Sequence, residues 1–473
     1  MSVSAVAADR SVCAPLPVLG RDVLVPLVTG GEVDYAALDY AASAPALQRV
    51  WDDVAAYAPY YGSVHRGAGY LSQLSTDLFE NSRATIAKFL GCGRREGDQV
   101  VFTRSTTDSL NLLAAVLPQN TRVFVFETEH HASLLPWEQR PDTAVTYLNA
   151  PRTPQQAVDT LEKALAEREP YGPALVCVTG ASNVTGELWP VRELAAAAHA
   201  HGARIVLDAA QLAPHHPIDI AELDVDWVAF SGHKLYAPFG AGVLAGRADW
   251  LQAAEPYLAG GGASRKVSRR TDGGVDVEWH TTAARHEAGS PNVIGAYAIA
   301  SACQALTEAG FDGLVAREQE LIARVREGLA EVPEVKVLSL FGDDAPRVGV
   351  LSFVVEGWNS SHFAAALSAE YGIGVRDGLF CAHPLVRTLL GSEPQEPGEC
   401  GAPEAAPGER SEVGVPPAEG RGSSLNAIRV SFGAGTPDEH VERFVRAVKE
   451  LVADGARWNY RTEDGRCVPD TSA

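Results

Sequence analysis

The chain has 473 residues, 46% of them hydrophobic and 21% charged, too long for one small binding module and too apolar for a disordered chain. Sixty Asp and Glu against 39 Lys and Arg leave a net charge of −21, with no basic run beyond 264–270, so the protein repels phosphate backbones and anionic lipid and nucleic acid is not an expected partner. Seven cysteines without a single C-x-x-C encode neither a disulfide framework nor a structural zinc site and read as reduced, cytoplasmic thiols.

Residues 1–30 are irregular and punctuated by Pro and Gly, an arm with neither the basic start nor the apolar core of a signal peptide. From 31 to 292 short apolar runs of strand length (100–103, 122–126, 174–179, 204–207, 227–230) alternate with helix-like stretches such as 109–117, 153–167 and 191–201. That alternation predicts an α/β domain built on a mainly parallel sheet covered on both faces, with ligands beyond the carboxyl ends of the strands. From 293 to 460 long helical stretches (293–308, 313–332, 361–371, 439–453) accompany fewer strands (335–338, 349–355, 428–432), a smaller α+β domain. Within it 391–424 holds six prolines and almost no large apolar residue, a flexible insertion by composition. The tail 461–473 is polar and expected to fray. No uncharged apolar run reaches the ~20 residues that span a bilayer.

Two strand ends carry the strongest chemical signal. The run 227–231 opens into Ser231-Gly-His-Lys234. A lysine partly withdrawn from water gives up its proton more easily, which frees a neutral amine for a Schiff base; taken alone it would be a solvated loop residue. The run 204–208 ends in Asp208, which could cap the following turn, or could lie beside the ring nitrogen of pyridoxal phosphate (PLP) and keep it protonated. The two ends together favour PLP. Segment 101–111 reads as strand, hydroxyl-rich turn and helix; backbone N–H groups at a helix start, with Thr106 and Thr107, suit a phosphate dianion, although such starts are commonly plain caps. His130 and His131 are adjacent rather than four apart, so no metal is expected. His215 and His216 read as a surface turn.

These motifs, from Leu38-Asp-Tyr-Ala-Ala-Ser43 to Arg429-Val-Ser-Phe432, resemble those of the class V aminotransferase fold, and within it the Suf-type cysteine desulfurase and selenocysteine lyase group. The resemblance implies a PLP-dependent transferase of fold type I, with a seven-stranded, mainly parallel sheet in the large domain. It implies that Lys234 carries PLP and shuttles protons, that Asp208 pairs with the ring nitrogen and that Gln211 donates to the ring phenolate. Thr106, Thr107, Ser231 and His233 would hold the phosphate, and Asn183 would lie beside the ring. Ser290 would come from the partner subunit of a homodimer. His130 would stack on the ring and relay protons, a role that suits a pKa near neutral.

The segment Gly374-Val-Arg-Asp-Gly-Leu-Phe-Cys381-Ala-His-Pro-Leu385 is similar to the group's nucleophile motif. Cys381 would then take sulfur or selenium from L-cysteine or L-selenocysteine as a persulfide or its selenium counterpart, leave alanine, and pass the atom to an acceptor protein. Arg429 and Arg376 would bind the substrate carboxylate. Leu379 and Phe380 are apolar where the group is polar or histidine-rich, which leaves His383, an arginine or the substrate to activate the thiol. Two other readings fit the same residues: a different PLP reaction (C–S lysis, epimerisation or transamination) with Cys381 a bystander, and a non-catalytic scaffold.

Overall fold

The computed structural model describes residues 14–65, 67–168, 172–391, 426–463 and 466–470. The insertion expected at 391–424 lies outside the described residues apart from Gly391.

The apolar runs assemble into one seven-stranded sheet. Its order is Asp98–Thr103, Gly242–Arg247, Trp227–Ser231, Arg204–Asp208, Ala174–Thr179, Arg122–Phe126 and Ala144–Leu148. The last five run parallel, and Gly242–Arg247 runs against both of its neighbours. Trp227–Ser231 is buried at every position and Arg204–Asp208 at all but the first, because helices cover both faces. Ser105 starts the helix Thr106–Ala115 by accepting from the Asp108 N–H, and Asp108 adds a carboxylate to its first turn. These choices bring the ends of four strands (Thr103, Thr179, Asp208 and Ser231) to one edge of the sheet.

At that edge Gly242 permits a backbone-to-backbone approach: a Cβ there would lie 2.6 Å from the Ser105 backbone. Gly242→Ala is therefore expected to destabilise the protein by about 1–3 kcal/mol through overpacking, read from its urea unfolding midpoint.

A second, four-stranded antiparallel sheet has the order Val335–Val337, Val350–Val355, Ala427–Ser431 and Arg376–Gly378. Helices Phe311–Ala330, Ser360–Tyr371 and Asp438–Asp454 supply Leu321, Phe363 and Phe444 to the core it shares. The chain start contributes as well: Ala36–Ala37 pairs with Ile373–Gly374. Helix Val293–Ala309, expected to head the small domain, packs instead on Gln48–Tyr57 and Tyr70–Phe89 and gives Ile299 and Leu306 to the core of the large sheet. We propose the boundary at Gly310, between the two long helices, rather than at 292.

Two expectations change. Within the tail expected to fray, 461–473, Tyr460–Glu463 and Arg466–Pro469 pair antiparallel. The anchor of the pair is buried Glu370, which accepts from the Arg457 and Trp458 N–H groups and from the Tyr460 hydroxyl, so one carboxylate holds the start of this strand pair. His215 is not on the surface. It is buried and its Nδ1 lies 2.5 Å from Glu318 Oε2, a link from the large sheet's loops to helix Phe311–Ala330. No helix among the described residues is long and apolar enough to cross a membrane.

Candidate active site

Beyond the carboxyl ends of the large sheet's strands lies a cavity of about 250 Å³, closed on its far side by Arg376, Cys381 and Arg429 of the small sheet and its loops. Lys234 and Asp208 both line it. Burial takes the Lys234 ammonium from the 10.5 of a free lysine down to about 8, with Asp208 opposing the shift and Arg429 adding to it. A neutral amine is thus within reach at physiological pH. Asp208 is fixed at both oxygens: Oδ2 accepts from Ser133 Oγ at 2.5 Å and Oδ1 from the Ala210 N–H at 2.9 Å. Behind it Glu129 is fully buried, with Oε1 accepting from the Thr179 N–H and Oε2 without a partner. Burial, then the charge of Asp208, hold its carboxyl far above the usual range, so Glu129 is a neutral acid behind Asp208.

At one end of the cavity Ser231 Oγ accepts from the Thr106 N–H and meets Thr106 Oγ1, each at 2.7 Å. Thr107 lines the cavity beside them, as does His233, whose imidazole burial and Lys234 keep below its ordinary pKa. Gln211 lines it too, with Nε2 donating to the Ala41 carbonyl at 2.8 Å; its second amide hydrogen is the one left for a ligand.

His130 also lines the cavity, but its pKa is not near neutral. Burial, then Lys234, His131 and Arg429, push it down to about 3. Its Nδ1 accepts from the Ala132 N–H at 3.0 Å, so the remaining hydrogen sits on Nε2.

Cys381 is exposed at the cavity mouth. It and Phe380 both adopt φ of +53°, a left-handed pair that L-residues seldom take without support. The support is specific: the His131 N–H donates to the Cys381 carbonyl at 2.7 Å and Asn183 Nδ2 to the Phe380 carbonyl at 2.8 Å. Asn183 thereby shapes the cysteine loop as well as lining the cavity. The apolar Phe380 is turned in beneath Arg429, whose guanidinium carbon lies 5.0 Å from the ring. The rings of His131 and His383 meet edge to face at 4.5 Å, and burial holds both below the usual histidine pKa, so both are bases at neutral pH.

Eleven of the expected residues surround one cavity: Thr106, Thr107, His130, Asn183, Asp208, Gln211, Ser231, His233, Lys234, Arg376 and Cys381, with Arg429 the twelfth. Ser290 stands apart. It is exposed and lines a separate cavity with Glu287 and Gly262. Sequence reading missed Ser133, Glu129, His131 and Asp39; the last lies in a quoted motif, but only the fold shows its carboxylate on Arg429 Nη2 at 2.9 Å.

The donor set fits PLP. A desolvated amine and a carboxylate held at both oxygens line one cavity with an amide and an imidazole, and hydroxyls at a helix start lie at one end.

Residues 36–444 match the family described as aminotransferase class V. A cysteine desulfurase of Enterobacter sp. is 36% identical over 390 residues, which cover 80% of this chain and 90% of that protein. Among solved structures, the apo cysteine desulfurase of Thermococcus onnurineus aligns with a TM-score of 0.73 at 30% identity, over 89% of this chain and 95% of that one. The Escherichia coli cysteine desulfurase CsdA (S-sulfonic acid) aligns at 0.71 and 28%, with the same coverage.

Proposed function

Since the chain belongs to the aminotransferase class-V family, we propose that it is a PLP-dependent cysteine desulfurase, which takes sulfur from L-cysteine onto Cys381 and releases alanine. The observation that carries this reading is the exposed Cys381 thiol lining the same cavity as Lys234 and Asp208.

Lys234 Nζ would hold PLP covalently, Asp208 would keep a proton on the ring nitrogen, and Gln211 would donate to the ring oxygen. Thr106, Thr107, Ser231 and His233 would take the phosphate. PLP bound there supplies an electron sink for bonds at the substrate α-carbon. Lys234, with an amine that titrates near 8, then takes and returns the proton at that carbon. His130 packs over the site as a neutral imidazole and offers its Nε2 hydrogen. Arg429, with Arg376 at the mouth, receives the α-carboxylate. The Cys381 thiolate attacks the substrate sulfur: an S–S bond forms, the Cβ–S bond breaks with its electron pair left on carbon, and protons return to Cβ and Cα to give alanine. His131 and His383 stand beside the cysteine loop as neutral bases for the thiol proton.

We place the enzyme in the cytoplasm, in keeping with cysteines that form no framework, and expect an acceptor protein to collect the sulfur from Cys381. A second copy of the chain would bring its Ser290 to the phosphate end, in keeping with the exposure of that hydroxyl beside a large cleft.

The deciding experiment incubates the enzyme with L-cysteine, alkylates it and maps Cys381 by mass spectrometry. The expected peptide carries one added sulfur; an unmodified Cys381 in an enzyme that still consumes cysteine would favour the C–S lyase alternative.

A further inference from the structure

Arg429 sits on the strand Ala427–Ser431 with its side chain only 4% exposed. Two of its three nitrogens are engaged: Nη1 donates to the Asn183 carbonyl at 3.1 Å and Nη2 to Asp39 Oδ1 at 2.9 Å. Nε is buried and has no partner among the described residues. An unpartnered N–H on a buried guanidinium is costly, because the donor has lost water and gained nothing. Nε and Nη2 form the side edge of the guanidinium, the two-donor fork that grips a carboxylate with both oxygens. Half of that fork is vacant and Asp39 holds the other half.

Asp39 is suited to let go. Its backbone is pinned, since the preceding Leu38 N–H donates to the Gly374 carbonyl and the following Tyr40 N–H to that of Ser431. Its carboxylate, however, is 27% exposed, whereas the guanidinium is not. Leaving Nη2 therefore moves one charge into water while the chain stays where it is. A substrate carboxylate approaching with Asp39 in place would meet one free donor and a like charge; with Asp39 displaced it would meet both donors.

We propose that Asp39 is an exchangeable counter-ion, holding Arg429 in the resting enzyme and yielding the Nε–Nη2 edge to the carboxylate of the amino-acid substrate. This rests on the reading that Arg429 receives that carboxylate. Asp39 thus keeps the buried cation paired between turnovers and weakens carboxylate binding while doing so.

The probe is 3-mercaptopropionate, which carries the carboxylate and thiol of cysteine without the amine. Its affinity for the full-length holoenzyme is measured by calorimetry, alongside cysteamine, which lacks the carboxylate. In Asp39→Asn the Kd for 3-mercaptopropionate is expected to fall by about three- to tenfold. Cysteamine binding gains nothing, and KM for L-cysteine falls without a rise in kcat. Asp39→Ser is made in parallel so that the outcome does not hang on the folding of one variant. An unchanged or weakened Kd for 3-mercaptopropionate in the folded variants would overturn the proposal and make Asp39 a fixed positioning residue. If Arg429→Ala leaves 3-mercaptopropionate binding intact, the carboxylate reading fails and this one with it. Sulfur capture on Cys381 reports on the desulfurase reading separately.

Discussion

Lys234→Ala is expected to lose the visible absorbance of bound PLP and to lower sulfur release from L-cysteine by at least about 10³-fold. That factor corresponds to ~4 kcal/mol of transition-state stabilisation, a large loss for one amine, and it follows from the two tasks proposed for the residue. Among the described residues the cavity offers no second amine, since the other basic side chains lining it are arginines and histidines. Arginine stays protonated, and the imidazoles of His130 and His233 have no primary amine with which to form an imine, so neither substitutes as a covalent anchor. The same burial fixes a pH signature. A Lys234 amine titrating near 8 instead of 10.5 reacts only in its neutral form. Recapture of PLP by the apoprotein should therefore quicken about tenfold per pH unit below 8 and level off above it. A rate still climbing at pH 10 would mean that the amine is solvated, and the site as described would be wrong.

The parts of this site that a reader of the sequence can find are those that follow directly from strands. Arg122–Phe126 and Ala174–Thr179 have the bounds their apolar runs imply, because strands buried on both faces have no polar position to blur them. Lys234 and Asp208 follow from the same logic, one just past a strand and one at the end of another. Gly242–Arg247 is not legible: two glycines and an alanine among its six residues give little strand signal, and its place is set by antiparallel pairing to two distant strands. Ser133 and Asp39 act on residues 75 and 390 positions away, so no local pattern reveals them. The low pKa of His130 is hidden from the sequence for a related reason. A histidine near neutral suits a proton relay, but the ring shares its pocket with Lys234 and Arg429, and burial with two cations overrides the residue's own tendency. The start of the strand pair Tyr460–Glu463 and Arg466–Pro469 likewise depends on Glu370, a buried carboxylate on a helix that precedes it by about ninety residues.

Cys381→Ala should keep the PLP absorbance and the affinity for 3-mercaptopropionate's carboxylate, and should lose sulfur transfer to an acceptor by about 10³-fold or more. The substitution is clean because the cysteine loop is held through its backbone: the carbonyls of Phe380 and Cys381 accept from Asn183 and from the His131 N–H whatever the side chain. Only the thiol is removed. No other thiol in the described residues stands in for it. Of Cys92, Cys177, Cys303, Cys381 and Cys467, Cys381 alone lines the cavity and alone is exposed. Burial lifts Cys92 to about 12 and takes Cys177 and Cys303 far above a working thiolate. His383→Ala supplies the matching reactivity test. With the base beside the loop removed, alkylation of Cys381 at pH 7 should slow several-fold, and the difference should close at high pH, where hydroxide in solution does the base's work. A Cys381→Ala enzyme that still releases sulfide at the parental rate would remove the nucleophile from the mechanism. The same Lys234 and Asp208 pair would then be left to C–S lysis, in which the leaving sulfur departs without a protein thiol to catch it.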